Sequence, residues 1–265
     1  MAERPAQPNT FSRVSAPKTL DADMLGFLRR REAERCVVFA AWDSLQPAED
    51  VWDDAALDEL RERLMRVTSL GAEPTLCLYR GEDPAWFSAR GGWQKEDNLR
   101  CYLRYVGRLV RAAGHLCADY ITFYEPNALV WQSGESRLSL PRAATALSHM
   151  ACTHIRAVRL IRDTREQRGL SDTSVGVVMR LYPAAELRAA FLRGRLPLAA
   201  LYERLPLLAM TKGEFHAPLR NTLRVQAGTW ADYIGVTGAE DPAKRSSCCE
   251  WARELTGIEP RIMEE

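Results

Sequence analysis

The residue with the clearest chemical potential is Glu125. It follows the apolar run Asp119-Tyr-Ile-Thr-Phe-Tyr124 directly, and Pro126 stops that run. A carboxyl fixed at a strand end beside aromatic rings suits a general acid; the same residue could equally cap the following loop. Other polar groups also follow apolar runs: Trp42-Asp43-Ser44, Arg80-Gly-Glu82-Asp83-Pro84, Arg180, and Glu240-Asp241. Hydrolysis by paired carboxylates needs two such groups with different roles, so the chemistry depends on which of these ends converge. Histidines 115, 149, 154 and 216 lack metal-ligand clustering, since His149 and His154 are five apart rather than four. With no glycine-rich phosphate loop and no serine nucleophile elbow, neither metal nor cofactor is expected.

In parallel α/β folds, reacting groups gather at the C-terminal ends of strands. Five buried strands are readable, within residues 36–42, 74–79, 119–124, 174–179 and 232–237. Helical patterns cover 21–34, 53–70, 96–113, 142–168, 184–210 and 243–256, and Gly71 stands where a helix C-cap belongs. Crossovers of more than a dozen residues specify parallel pairing, so the fold class is α/β. Residues 1–18, with Pro5, Pro8 and Pro17, read as an irregular lead-in, and 19–265 as a single domain.

Composition narrows the function classes. The 265 residues are 46% hydrophobic and 27% charged, with 36 basic against 35 acidic side chains. A net charge of +1 gives no global pull toward nucleic acid or an anionic membrane. The Arg-rich stretch 100–111 interleaves Tyr102, Leu103, Tyr105, Val106 and Leu109, the pattern of a solvated face backed by a core stripe. No apolar run reaches membrane-spanning length, and the first residues lack the apolar core of a secretory signal. Seven cysteines, with no Cys-x-x-Cys and several inside apolar runs, read as buried thiols. A cytoplasmic protein is expected. Its length alone suits a small eight-stranded βα barrel of about 250 residues.

The stretch Ala118-Asp-Tyr-Ile-Thr-Phe-Tyr-Glu-Pro-Asn127 resembles the acid/base motif of glycoside hydrolase family 1, where Thr-Phe-Asn-Glu-Pro is characteristic. The resemblance continues in order on both sides. Gly71-Ala-Glu-Pro-Thr-Leu-Cys-Leu-Tyr79 is similar to the strand leading into the family's His-Trp-Asp-x-Pro, and Gly91-Gly-Trp93 to the Gly-Gly-Trp after it. His149-Met-Ala-Cys-Thr-His154 resembles the helix after the acid/base strand, and Asp232-Tyr-Ile-Gly-Val236 the later Asp-Phe-Ile-Gly strand. The resemblance implies a retaining β-glucosidase-type barrel with Glu125 as acid/base, and a β-linked glucoside or another sugar as ligand. It places Trp42, Arg80, Glu82, Tyr124 and Asn127 in the substrate region.

The departures are as informative. Tyr124 replaces the Asn that contacts the sugar 2-hydroxyl, a contact that strengthens in the transition state. Arg80 and Gly81 stand for the family's His and Trp, while Glu82 keeps a carboxylate there. The nucleophile motif Thr-Glu-Asn-Gly of the seventh strand, and the Trp-rich segment of the eighth, are not found. The sequence therefore reads as the front and middle of a larger barrel: an incomplete TIM barrel lacking the last strands. Three readings follow: a hydrolase, with Glu82, Glu240 or Asp241 standing in for the nucleophile; a non-catalytic carbohydrate-binding or scaffold pseudoenzyme; or part of a split glycosidase. An open sheet edge is an association liability, so self-association, another partner or a rearranged helix is expected to cover it.

Overall fold

In the computed structural model, residues 13–15, 34–132, 139–181, 203–238 and 241–264 are described. The helix expected at 21–34, most of the one expected at 184–210, and Glu240 lie outside these residues. Along the chain run β1 (Arg13–Ser15), β2 (Arg35–Phe39), α1 (Trp42–Leu45), α2 (Asp54–Ser69), β3 (Glu73–Cys77), α3 (Ala85–Ala89) and α4 (Leu99–Ala113). There follow β4 (Asp119–Tyr124), α5 (Pro126–Gln132), α6 (Leu140–Glu166), β5 (Ser174–Arg180), α7 (Arg204–Lys212), β6 (Tyr233–Thr237), α8 (Pro242–Thr256) and β7 (Pro260–Glu264).

The helices end and begin where the sequence directs. The Asp53 carboxylate caps α2 by accepting from Ala56 N at 2.9 Å, and Asp241 does the same for α8 from Ala243 N. Gly71, at φ 84°, reverses the chain between α2 and β3 as its position suggested.

All seven strands pair in parallel, in chain order, and β7 returns to β1 through Arg13↔Ile262 and Ser15↔Glu264. The barrel is incomplete against the eight strands of a full TIM barrel, but the expected open edge is not found among the described residues. Two short strands escaped the sequence reading: β1, inside the segment read as an irregular lead-in, and β7, which closes the ring. With the ring closed internally, no partner is needed to cover an edge.

Alternation sorts the strand residues into two cores. Cys36, Val38, Leu76, Val175, Val177, Ile234 and Val236 face outward and pack beneath the helices. Val37, Cys77, Ile121, Tyr124, Val178, Tyr233 and Met263 fill the barrel interior. The inward rings leave no room for side chains at two positions. A Cβ on Gly176 would lie 2.5 Å from the Tyr233 ring, and one on Gly235 would lie 2.6 Å from Val178. A register shift between Ile121 and Tyr124 breaks the alternation in β4. As at other bulges, it re-aims the residues beyond it: Tyr124 enters the interior although its parity differs from that of Ile121.

At the N-terminal end of the barrel a buried carboxylate joins four strands. Asp119 of β4 accepts from Arg261 of β7, from Thr75 Oγ1 of β3 at 3.2 Å, and pairs with Arg35 Nε of β2 at 3.3 Å. The Arg261 guanidinium also sits over the Tyr233 ring of β6, 3.4 Å from its centroid. Removing one member of such a buried group strands the others without a counter-charge. The variant Asp119→Ala is expected to lose about 3 kcal/mol in urea unfolding; an unchanged midpoint would show that closure does not rest on this carboxylate.

Candidate functional site

The C-terminal ends of β4, β5 and β6 meet at Glu125. Its backbone is left-handed, φ 51°, a conformation uncommon for a residue with a Cβ and one that concentrates at functional sites. Glu125 N donates to Val178 O at 2.9 Å, which holds the turn against β5. The carboxylate is nearly buried and both its oxygens are engaged. Oε1 accepts from Thr237 Oγ1 of β6 at 2.5 Å, and Oε2 lies 3.0 Å from Arg180 Nε of β5. Asn127 locks the same corner: its Nδ2 donates to Arg180 O at 2.7 Å, and its Oδ1 accepts from Arg180 N at 3.2 Å. The sequence marks Arg180 only as a strand-end residue, and Thr237 only as the last residue of the strand at 232–237. Their convergence on Glu125 depends on the β4–β5–β6 register, which sequence periodicity does not specify.

The other candidates connect to this corner through aromatic contacts. Tyr124 packs edge-on against Phe39, with ring centroids 5.4 Å apart, and its N donates to Tyr79 O. The Arg80 guanidinium sits over Phe39, 4.4 Å from the centroid, and its Nε pairs with Glu82 Oε1 at 3.2 Å. Arg80 and Glu82 remain substantially exposed, so they form a charged rim above a filled interior. Trp42 lies deeper. It is 1% exposed, enclosed by Tyr79, Trp86, Phe87, Tyr102 and Tyr105, and its Nε1 donates to Gln46 Oε1 at 2.9 Å. Trp86 donates to Gln46 O, and Trp93 is buried against Tyr79. Asp241 serves as a helix cap. Among the described residues, no group of three His, Cys, Asp or Glu side chains could hold a metal ion, and no helix is long and apolar enough to cross a membrane.

One further end falls on the same side of the barrel. β7 finishes at Glu264, so the seventh strand closes on a glutamate although Thr-Glu-Asn-Gly is absent. The signal that could have found it is the pair Glu264-Glu265 following Pro-Arg-Ile-Met, too short and too charged to read as a buried strand.

Comparison with known proteins identifies the architecture. No protein-family model matches the sequence. Seventy-six residues, 29% of this chain and 12% of the relative, are 29% identical to "Beta-glucosidase-like SFR2, chloroplastic" of Oryza sativa subsp. japonica. The GH1 β-glucosidase of Exiguobacterium antarcticum B7 superposes with TM-score 0.66 at 18% identity, covering 81% of this chain and 52% of that one. The Thermotoga maritima β-glucosidase in complex with deoxynojirimycin superposes with TM-score 0.65 at 19% identity, covering 83% and 55%. The fold is that of a divergent GH1-like barrel. The chain spans about half the length of these solved structures.

Two buried ionisable groups of the barrel have opposite effects on its stability with pH. Burial raises the Asp83 carboxyl to about 6, against the hydrogen bonds from Tyr79 OH (2.7 Å) and Trp93 Nε1 (3.2 Å) that favour its ionised form. Burial lowers His154 to about 4. Its Nε2 meets Trp230 O at 3.1 Å and must donate, so the neutral ring accepts at Nδ1 from Thr122 Oγ1. Between pH 4 and 6, the folded state holds more protons at Asp83 and fewer at His154 than the unfolded state. The Asp83 contribution to stability is therefore lost as pH rises through about 6, whereas the His154 contribution is lost as pH falls from about 6.5 toward 4. Unfolding midpoints across this range should rise more steeply with pH in Asp83→Asn than in the native chain. In His154→Gln they should fall with pH; equal slopes in all three proteins would refute both assignments.

Proposed function

We propose that this chain is a carbohydrate-binding protein of β-glucosidase lineage that does not itself hydrolyse glycosides. The observation carrying this reading is the engagement of both Glu125 oxygens within the protein, by Thr237 and by Arg180. A general acid must present a proton on one of these oxygens to the glycosidic oxygen. Here the partner on one of them, Thr237 at Oε1 or Arg180 at Oε2, would have to be displaced before that oxygen could reach a substrate. The residue before Glu125 adds to this. Tyr124 fills the barrel interior against Phe39 instead of offering an amide to a sugar hydroxyl. The half-exposed rim of Arg80, Glu82 and Arg180 supports retained sugar binding, because charged and planar groups at strand ends suit polyhydroxylated ligands. The complex of the Thermotoga maritima relative with deoxynojirimycin supplies the probe.

A second reading has its own support: hydrolysis by Glu125 with a carboxylate from the end of β7. Glu264 closes the seventh strand on the same side of the barrel as Glu125. Retaining chemistry would require the two carboxyl groups about 5–5.5 Å apart.

Assay with 4-nitrophenyl β-glucoside, beside calorimetric titration with deoxynojirimycin, separates these readings. The proposal expects deoxynojirimycin to bind and turnover to equal that of Glu125→Gln at background level. Turnover in the native chain, lost in both Glu125→Gln and Glu264→Gln, would establish the second reading. A folded protein that neither binds nor turns over would overturn the sugar assignment.

A further inference from the structure

On the outer surface, away from the strand ends, an open cleft of about 730 Å³ lies between α2 and α4. Four arginines converge on it: Arg61 from α2, and Arg104, Arg108 and Arg111 from one face of α4. We propose that this cleft binds a small phosphorylated ligand.

Three features of the cleft carry the inference. The first is donor chemistry: a guanidinium presents a planar fork of N–H groups that matches phosphate oxygens two at a time. Arg104, Arg108 and Arg111 are spaced four and three apart, so they stack along one helix face over about 10 Å. That span suits one or two phosphoryl groups. The second is that the existing partners are replaceable. Arg108 lies 3.4 Å from Asp54, and Arg104 lies 3.5 Å from Glu49 and 3.8 Å from Asp50. Asp54 and Asp50 are more than 80% exposed, so their pairs contribute little and a dianion can displace them, and Glu49 keeps Arg90 as a partner when Arg104 turns to a ligand. Arg111 pairs with no carboxylate among the described residues. The third is preorganisation. Arg108 is held over the Trp52 indole, 4.6 Å from its centroid, and Trp52 stacks in turn on the buried Tyr105 ring at an interplanar angle of 7°. Arg61 is anchored by its Nε to Ala112 O, and by Nη1 to Asp58 at 2.7 Å. Two of the four guanidiniums are therefore positioned before any ligand arrives, which lowers the ordering cost of binding.

The experiment is calorimetric titration of the full chain with sodium pyrophosphate at fixed ionic strength, with sodium sulfate as the competing anion. Saturable binding of pyrophosphate is expected, with sulfate weaker. Removing one charge-assisted partner typically costs enough to weaken binding about tenfold or more, so Arg108→Gln and Arg111→Gln should each show that loss. Among the described residues Arg111 makes no ion pair that its replacement would break, so Arg111→Gln tests the cleft with little disturbance of the fold. Arg100→Gln, on the same helix but paired with Asp97 outside the cleft, should bind as the native chain does. Equal affinity in Arg111→Gln and the native chain would overturn the proposal. So would absence of saturable binding, or binding of a single-stranded nucleic-acid homopolymer with no response to pyrophosphate.

Discussion

The structure turns on a carboxylate withdrawn from water at the upper end of the barrel. A buried charge is tolerated only when the protein replaces its hydration, and Glu125 receives that replacement from two neighbouring strands at once, through Thr237 of β6 and Arg180 of β5. Asn127 then ties the Arg180 backbone back to the turn that carries Glu125. The left-handed backbone at Glu125 and the bulge in β4 are the local distortions that bring the side chain to this point. At the opposite end of the barrel, Asp119 plays the corresponding part among β2, β3 and β7. The interior between these two carboxylates is a column of packed side chains, with glycine where Tyr233 and Val178 need the space.

This arrangement recasts the relation between lineage and activity. In a glycosidase barrel the upper end must stay open enough to admit a sugar, with one carboxyl poised beside the scissile oxygen. Here Tyr124 and Phe39 close the interior beneath Glu125, and the carboxylate is occupied from both sides. The same residue that marks the resemblance now joins β4 to its neighbours. The ion pair and hydrogen bond at this strand end tie β4, β5 and β6 together.

The central strands were legible because they are apolar on both faces: Cys-Val-Val-Phe in β2 and Val-Gly-Val-Val-Met in β5 read as buried whatever the register. The strands that close the ring were not. β1 is only Arg-Val-Ser, and β7 carries Arg261 pointing inward to Asp119, a charge that reads as surface until its partner is known. Glu125 was visible as a candidate because Pro126 marks the strand end. Its partners were not, because Arg180 and Thr237 lie 55 and 112 residues away and meet it only through the strand register. Trp42 illustrates the converse: the resemblance places it in the substrate region, yet its ring is buried in the core against Tyr102 and Tyr105 of α4.

The most direct test of the central claim is the coupling energy between Glu125 and Arg180 in a double-mutant cycle of urea unfolding, using Glu125→Gln, Arg180→Ala and the double variant. If the carboxylate is held as a structural ion pair, the two substitutions will be non-additive by about 1 kcal/mol or more. Additive effects would contradict the account, because they would show that the pair contributes no coupling to the fold.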